Sequence, residues 1–182
     1  MWLLDDKKCI FYIMKIFENY PPLTTRLYNQ FAFFKACLTK NLFLKSSTRN
    51  DLYNFLNNRK SRLDFKINIV NKFNNKKIDS NFFCAWLSGF MEIKSSFLLK
   101  IKMDNSYSYL FSIEHNQDYF VLYKIYKLYN INVNIKNINN MSYILKTSNK
   151  NILNNIINHC ISYPLQGEKS KLLNQFIKIF YK

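Results

Sequence analysis

Only two glycines and three prolines occur among 182 residues, and 11 acidic side chains stand against 27 lysines and arginines. The scarcity of Gly, Pro and Ala accompanies a surplus of Asn, Lys, Ile, Phe and Tyr, the bias left by translation from a very AT-rich genome. Asn runs such as "NVNIKNINN" therefore say little about function, whereas a glycine kept in the middle of a helix says more, since it costs about 1 kcal/mol relative to alanine. The four cysteines, Cys9, Cys37, Cys84 and Cys160, include no C-x-x-C pair, so neither a zinc site nor a disulfide framework is expected. His115 and His159 are isolated and read as ordinary surface or strand-end histidines. No cofactor is implied. No apolar run approaches a membrane span, and "MWLLDDKKCIFYIMK" is neither a clear signal peptide nor an Arg-rich, acid-poor transit peptide. So AT-rich a genome is an organelle's or that of an AT-rich organism, and without an import signal an organelle-encoded protein is the economical reading.

What the chain does hold is an ample core and a surplus of positive charge. At 48% hydrophobic and 18% aromatic, it can fill one domain or one and a half. The formal net charge of +16 exceeds what solubility requires and has the sign that attracts phosphate. An anionic membrane surface would call for one concentrated basic helix. Here residues 1–80 carry 15 basic and 6 acidic side chains, and residues 81–182 carry 12 and 5. Each half is basic on its own, so nucleic acid is the expected partner.

Apolar periodicity divides the chain. In "NFFCAWLSGFMEIKSSFLLKIK", Asn81 to Lys102, Phe83, Trp86, Leu87 and Phe90 fall at helical spacing while Phe97, Leu99, Ile101 and Met103 alternate. A helix over about 81–93, capped by Asp79 or Ser80, thus turns into a strand near Ser95. Strands over about 96–103 and 107–115 are joined through "DNS". A helix follows through Phe120, Leu122, Ile125 and Leu128, then strands near 132–137 and 141–147 and helices over about 149–160 and 168–181. This order describes an α+β unit, αββαββα, with a four-stranded antiparallel sheet covered by helices on one face.

An internal repeat is also visible. "ENYPPLTTRLYNQFAFFK" parallels "ISYPLQGEKSKLLNQFIKIF"; aligned on Pro22-Leu23 and Pro164-Leu165, the two differ by three residues of loop before Asn-Gln-Phe. Residues 1–38 therefore read as the closing helices of a first unit whose beginning is absent, 39–79 as a basic helical linker with Ser47 or Thr48 capping a helix, and 80–182 as a complete unit. The linker's Arg59, Lys60 and Arg62 read either as a solvated face or as phosphate contacts.

The stretch "WLSGFMEIKSSF" resembles the motif helix of the LAGLIDADG homing endonucleases and intron maturases, where a Leu-Ala-Gly start, an acidic position and a second acidic residue before Gly-Ser-Phe are typical. Leu87, Ser88, Gly89, Phe90, Met91 and Glu92 follow that pattern. "FSIEHNQDYFVLYKIYKLYN" is similar to the family's second strand and helix, and "INHCISYPLQGEKSKLLNQFIKIF" to its closing segment. The resemblance implies that two motif helices cross at close range, with Ala85, Ser88 and Gly89 forming the small patch that admits a partner helix; the alternative is a glycine left by drift in an ordinary core helix. A second polypeptide carrying the first motif helix is expected to cover this patch. Catalysis, by contrast, is not expected. In active members the second acidic residue binds the divalent metals that activate water, and here that position is Lys94, whose ammonium cannot ligate Mg²⁺. Glu92 lies about 200° away around the helix and cannot take over the task. No catalytic or metal-binding residue is assigned.

The resemblance leaves a binding surface, because the family lays its sheet along the groove of nucleic acid. With Phe97, Leu99, Ile101 and Met103 turned to the helices, Leu98, Lys100 and Lys102 face outward, as do Ser108, Ser112 and Glu114, then Asn132, Asn134 and Lys136, then Ser142 and Lys146. Lysine and asparagine suit phosphates, sugars and base edges. Lys169 in the closing loop reads as a phosphate anchor. The expected function is a non-catalytic RNA-binding component of the mitochondrial ribosome, touching rRNA. The alternative is a group I intron maturase; a third reading is half of a DNA nuclease completed by another chain.

Overall fold

The computed structural model describes residues 6–39, 50, 54, 79–139 and 142–182. They belong to two compact units that divide between residues 77 and 78. The linker helix and the cluster Arg59, Lys60 and Arg62 lie outside the described residues.

The first unit is a helical hairpin. Asp6 caps α1 (Lys7–Asn19) by accepting from the amides of Lys8 and Cys9, each at 3.3 Å. Pro21 and Pro22 cannot continue a helix, and α1 closes at Tyr20, whose amide donates to Ile16 O at 2.8 Å. In α2 (Thr25–Thr39), Phe31 meets Phe17 with ring centroids 5.5 Å apart, and Lys35 pairs with Glu18 at 2.6 Å, which joins the two helices.

The second unit begins with α3 (Ser80–Lys94), capped by Asp79 through the Asn81 amide at 3.1 Å, and β1 (Ser95–Ile101) follows without a loop. The switch is abrupt because Ser95 leaves the helix at φ −98° and ψ 165° while its hydroxyl still donates to Met91 O at 2.7 Å. Next come β2 (Tyr107–Asn116), α4 (Tyr119–Leu128), β3 (Lys136–Asn139), β4 (Ser142–Thr147), α5 (Lys150–Ser162) and α6 (Glu168–Phe180). The sheet is antiparallel in the order β1-β2-β4-β3. Phe111, Ile113 and Leu145 from its covered face and Leu87, Met91, Leu122, Ile125, Leu153, Ile156 and Phe176 from the helices are buried and form the core. No described helix is long and apolar enough to cross a membrane.

The closing helices repeat the geometry of the first unit. Asn149 caps α5 through the amides two and three residues on, as Asp6 caps α1. Both helices span 13 residues and end on tyrosine, Tyr20 at φ −124°, ψ 71° and Tyr163 at φ −128°, ψ 80°, with the same 2.8 Å bond back four residues.

Four expectations shift. The strand placed near 132–137 forms only over Lys136–Asn139, because Asn130 adopts φ 50°, Ile131 is drawn into the core, and pairing starts where Lys136 meets Ile144. β1 ends at Ile101, and Ile101 and Met103, expected to face the helices, are 69% and 107% exposed at the uncovered end of the hairpin. In α4 the buried arc is Val121, Leu122 and Ile125, continued by Tyr129, so Leu128 points to solvent. His159, expected near the surface, is buried in α5 against Ser88.

Candidate nucleic-acid interface

The sheet has one covered face and one open face, and strand register assigns residues to each. Lys100 pairs with Ser108, Ser112 with Lys146, and Glu114 with Ile144, which in turn pairs with Lys136. All alternate with the core residues Phe111, Ile113 and Leu145, so Lys100, Lys136 and Lys146 share the open face and are exposed. Glu114, also exposed, lies diagonal to Lys146, a spacing at which opposite charges still attract. Lys102 is exposed just beyond β1, where its amide donates to Ser106 O at 2.8 Å to close the turn. Asn132 and Asn134 are exposed in the connection before β3 and belong to no strand, so alternation does not assign them a face.

The motif helix α3 divides equally cleanly. Phe83, Leu87, Ser88, Phe90 and Met91 are buried, while Asn81, Ala85, Gly89 and Ile93 recur every fourth residue on the exposed side. A Cβ built on Gly89 meets nothing within 4 Å, so its own unit gives no steric reason for glycine there. Ser88 does not join Ala85 and Gly89 on that side. Its hydroxyl donates to Tyr163 O at 2.7 Å and lies 3.2 Å from His159 Nε2, which ties α3 to α5. Trp86 stacks on Phe90 with centroids 4.9 Å apart, and the ammonium of Lys124 sits 4.5 Å from the Phe83 ring.

At its C-terminal end α3 is closed by the first turn of α6. Lys169 Nζ donates to Met91 O at 3.0 Å and Ser95 O at 2.6 Å, setting a cation on the negative end of the helix dipole. Burial pushes the Lys169 ammonium below its usual pKa, against the pull of Glu92. The Lys169 amide donates to Glu92 Oε1 at 3.1 Å, and Glu92 Oε2 is buried without a hydrogen-bond partner. This carboxylate also explains the chain's other glycine: a Cβ on Gly167 would stand 2.5 Å from Glu92 Oε1. Neither Gly167 nor the structural task of Glu92 was visible to periodicity; the signal was a second glycine surviving in so glycine-poor a chain. Lys94 ends the helix half-buried. Burial holds His115 below its usual pKa; Asp118 opposes this and Lys94 reinforces it.

At this end of the helix one Glu92 oxygen accepts from the Lys169 amide, the Lys169 ammonium donates to Met91 O and Ser95 O, and Lys94 adds a second cation. Among the described residues no three His, Cys, Asp or Glu side chains converge on a cation position. All four cysteines are free, with Cys37 and Cys160 buried and Cys9 exposed.

The second unit thus combines an open sheet face that carries lysines, a motif helix with Ala85 and Gly89 on its exposed side, and an αββαββα frame. A sequence profile described as LAGLIDADG endonuclease matches residues 87–180, and the chain belongs to that family. It is 33% identical over 98% of its length to a protein of Debaryomyces hansenii named "Probable intron-encoded endonuclease aI3", of which it spans 28%. It is also 32% identical over 99% of its length to a protein of the same name from Dictyostelium citrinum, of which it spans 68%. Among solved structures it is similar to the LAGLIDADG meganuclease I-AabMI bound to uncleaved DNA, with TM-score 0.68 and 18% identity, covering 98% of this chain and 71% of that one. The fold matches I-SmaMI bound to an uncleaved DNA target with TM-score 0.67 and 19% identity, covering 93% of this chain and 63% of that one. These relatives overturn the expectation of a ribosomal protein, because they carry the name of intron-encoded endonucleases. That expectation rested on the chain starting inside a repeat, which says nothing about an assembly.

Proposed function

We propose that this chain acts as a group I intron maturase, binding folded intron RNA without cutting nucleic acid itself. The observation that carries this reading is the lysine-closed end of the motif helix: Lys94 stands in the second acidic position of the motif, and the Lys169 ammonium caps the same turn. A surface that neutralises phosphates has no need of those acids. Lys100, Lys136 and Lys146 on the open sheet face would contact the RNA backbone, with Lys102, Asn132 and Asn134 at its margin. Lys169 keeps one N–H beyond its bonds to Met91 O and Ser95 O and could anchor a phosphate with it. The matching geometry of α1 and α5 supports residues 1–38 as the end of a first repeat. A first motif helix, in this polypeptide or another, would then cross α3 over Ala85 and Gly89. The AT-rich composition and the intron-encoded relatives support a mitochondrial gene and a matrix location.

The test is to offer the protein its host-intron precursor RNA and the matching intronless duplex DNA, with Mg²⁺. Retention of the RNA and faster splicing support the maturase reading. Site-specific cleavage of the DNA would instead establish the endonuclease that the relatives' names suggest.

A further inference from the structure

The rotated phase of α4 leaves a row of aromatics on its outer side. Tyr119, Tyr123 and Tyr126 fall at i, i+4 and i+7, beside the buried arc of Val121, Leu122 and Ile125, with Tyr126 half-buried. Their rings run nearly parallel, at 21° and 14°, with centroids 6.1 and 6.0 Å apart. Tyr119 and Tyr123 are 42% and 44% exposed. Tyr143 on β4 extends the row onto the sheet, packing edge-on against Tyr119 at 5.3 Å, with exposed Asn137 as its register partner on the edge strand β3. The exposed Lys127 holds its ammonium 5.5 and 5.8 Å from the Tyr123 and Tyr126 rings. Asp118, the acidic residue that begins this helix, is buried.

We propose that this row is a stacking platform for the unpaired bases of single-stranded RNA, separate from the open sheet face. The inference rests on the reading that the chain binds RNA, and assigns a second surface to it. The exposed Tyr119 and Tyr123 rings offer π-surface that an unstacked base can cover once the Lys127 ammonium moves from the Tyr123 ring to a phosphate, whereas a base within a duplex already has both faces stacked. Charge selects the occupant as well: Lys127 and Asn137 would be desolvated beneath an apolar protein surface, but meet phosphates and base edges along an RNA strand. The two surfaces lie on opposite sides of the sheet, so one chain could hold a helical element of an intron and a single-stranded segment at once.

The full chain is titrated with a short oligoadenylate and with a short RNA duplex, beside two variants: Tyr119→Ala with Tyr123→Ala, and Tyr119→Phe with Tyr123→Phe. Thermal unfolding checks that each variant is folded. The alanine pair should weaken oligoadenylate binding by about fivefold to a hundredfold and leave the duplex unaffected, while the phenylalanine pair, which keeps the rings, binds as the parent does. Equal weakening on both ligands, no weakening on either, or a phenylalanine pair as weak as the alanine pair would overturn the platform. If the parent binds duplex alone, only the platform falls; if it binds neither RNA, the maturase reading falls too.

Discussion

Replacing Gly167 with alanine tests whether Glu92 is a structural clasp. The new Cβ would stand 2.5 Å from Glu92 Oε1, closer than real Cβ contacts come, and 3.0 Å from Cδ, so the flexible end of that side chain has to shift. Backbone strain adds nothing, since Gly167 sits at φ −106° and ψ −158°, which alanine adopts freely. The carboxylate must swing away and surrender its bond from the Lys169 amide. A hydrogen bond to a charged group is worth about 1.5–3 kcal/mol, and part of this returns as the unpartnered Oε2 regains water, leaving a net loss of about 1–2 kcal/mol. At about 4–8 °C per kcal/mol for a domain of this size, thermal unfolding followed by circular dichroism resolves it easily. The control is a double-mutant cycle. In a Glu92→Ala background, Gly167→Ala should cost almost nothing, because the group it displaces has gone. A neutral single substitution, or an undiminished cost in that background, would refute the clasp.

Three further outcomes follow from the same geometry. Lys100→Ala with Lys146→Ala should weaken duplex RNA binding regardless of sequence and flatten its logarithmic salt dependence by about one unit per lost phosphate contact, read by titration across salt concentrations. Gly89→Leu should leave the second unit as stable as before or raise its stability by up to about 1 kcal/mol, since the side chain enters open space and leucine favours helix, yet it should abolish association with a first motif helix in a pull-down. Burial holds the folded-state pKa of His115 and His159 below the ordinary 6.5, so the unfolded chain binds more protons as pH falls through that value. Stability is therefore full above that pH and declines below it until the folded-state values are passed; urea midpoints between neutral and mildly acidic pH should show this, and His159→Asn should lessen the slope.

Much of the frame was legible because the apolar spacing of α3 and β1 changes period at one residue, and the turn from Lys94 to Ser95 falls where the periods meet. Legibility failed where composition satisfied any register. In "NINVNIKNIN" the alternation of Ile131, Val133 and Ile135 precedes the strand, and only pairing with β4 decides that the strand starts at Lys136. In α4, tyrosine occurs both in the core, as Tyr129, and on the surface, as Tyr119 and Tyr123, which hides where the apolar arc lies, and the core selected Val121 over Leu128. The site shows the same division. Lysines on the open face could be read from alternation, but Lys169 lies 77 residues from Glu92 in sequence and reaches it only through the closed fold. Ser88 was read with its helical neighbours Ala85 and Gly89, yet its hydroxyl finds Tyr163 O on the inner side.

The central claim is that the end of α3 lacks the means to cut while the chain retains the means to bind. The most direct measurement incubates the protein with end-labelled duplex DNA spanning the intron insertion site and with labelled intron precursor RNA, both in Mg²⁺, and resolves the products on one gel. The account predicts intact DNA and a retained precursor that splices faster. DNA cut at a single site, with cleavage lost on Glu92→Ala, would contradict it.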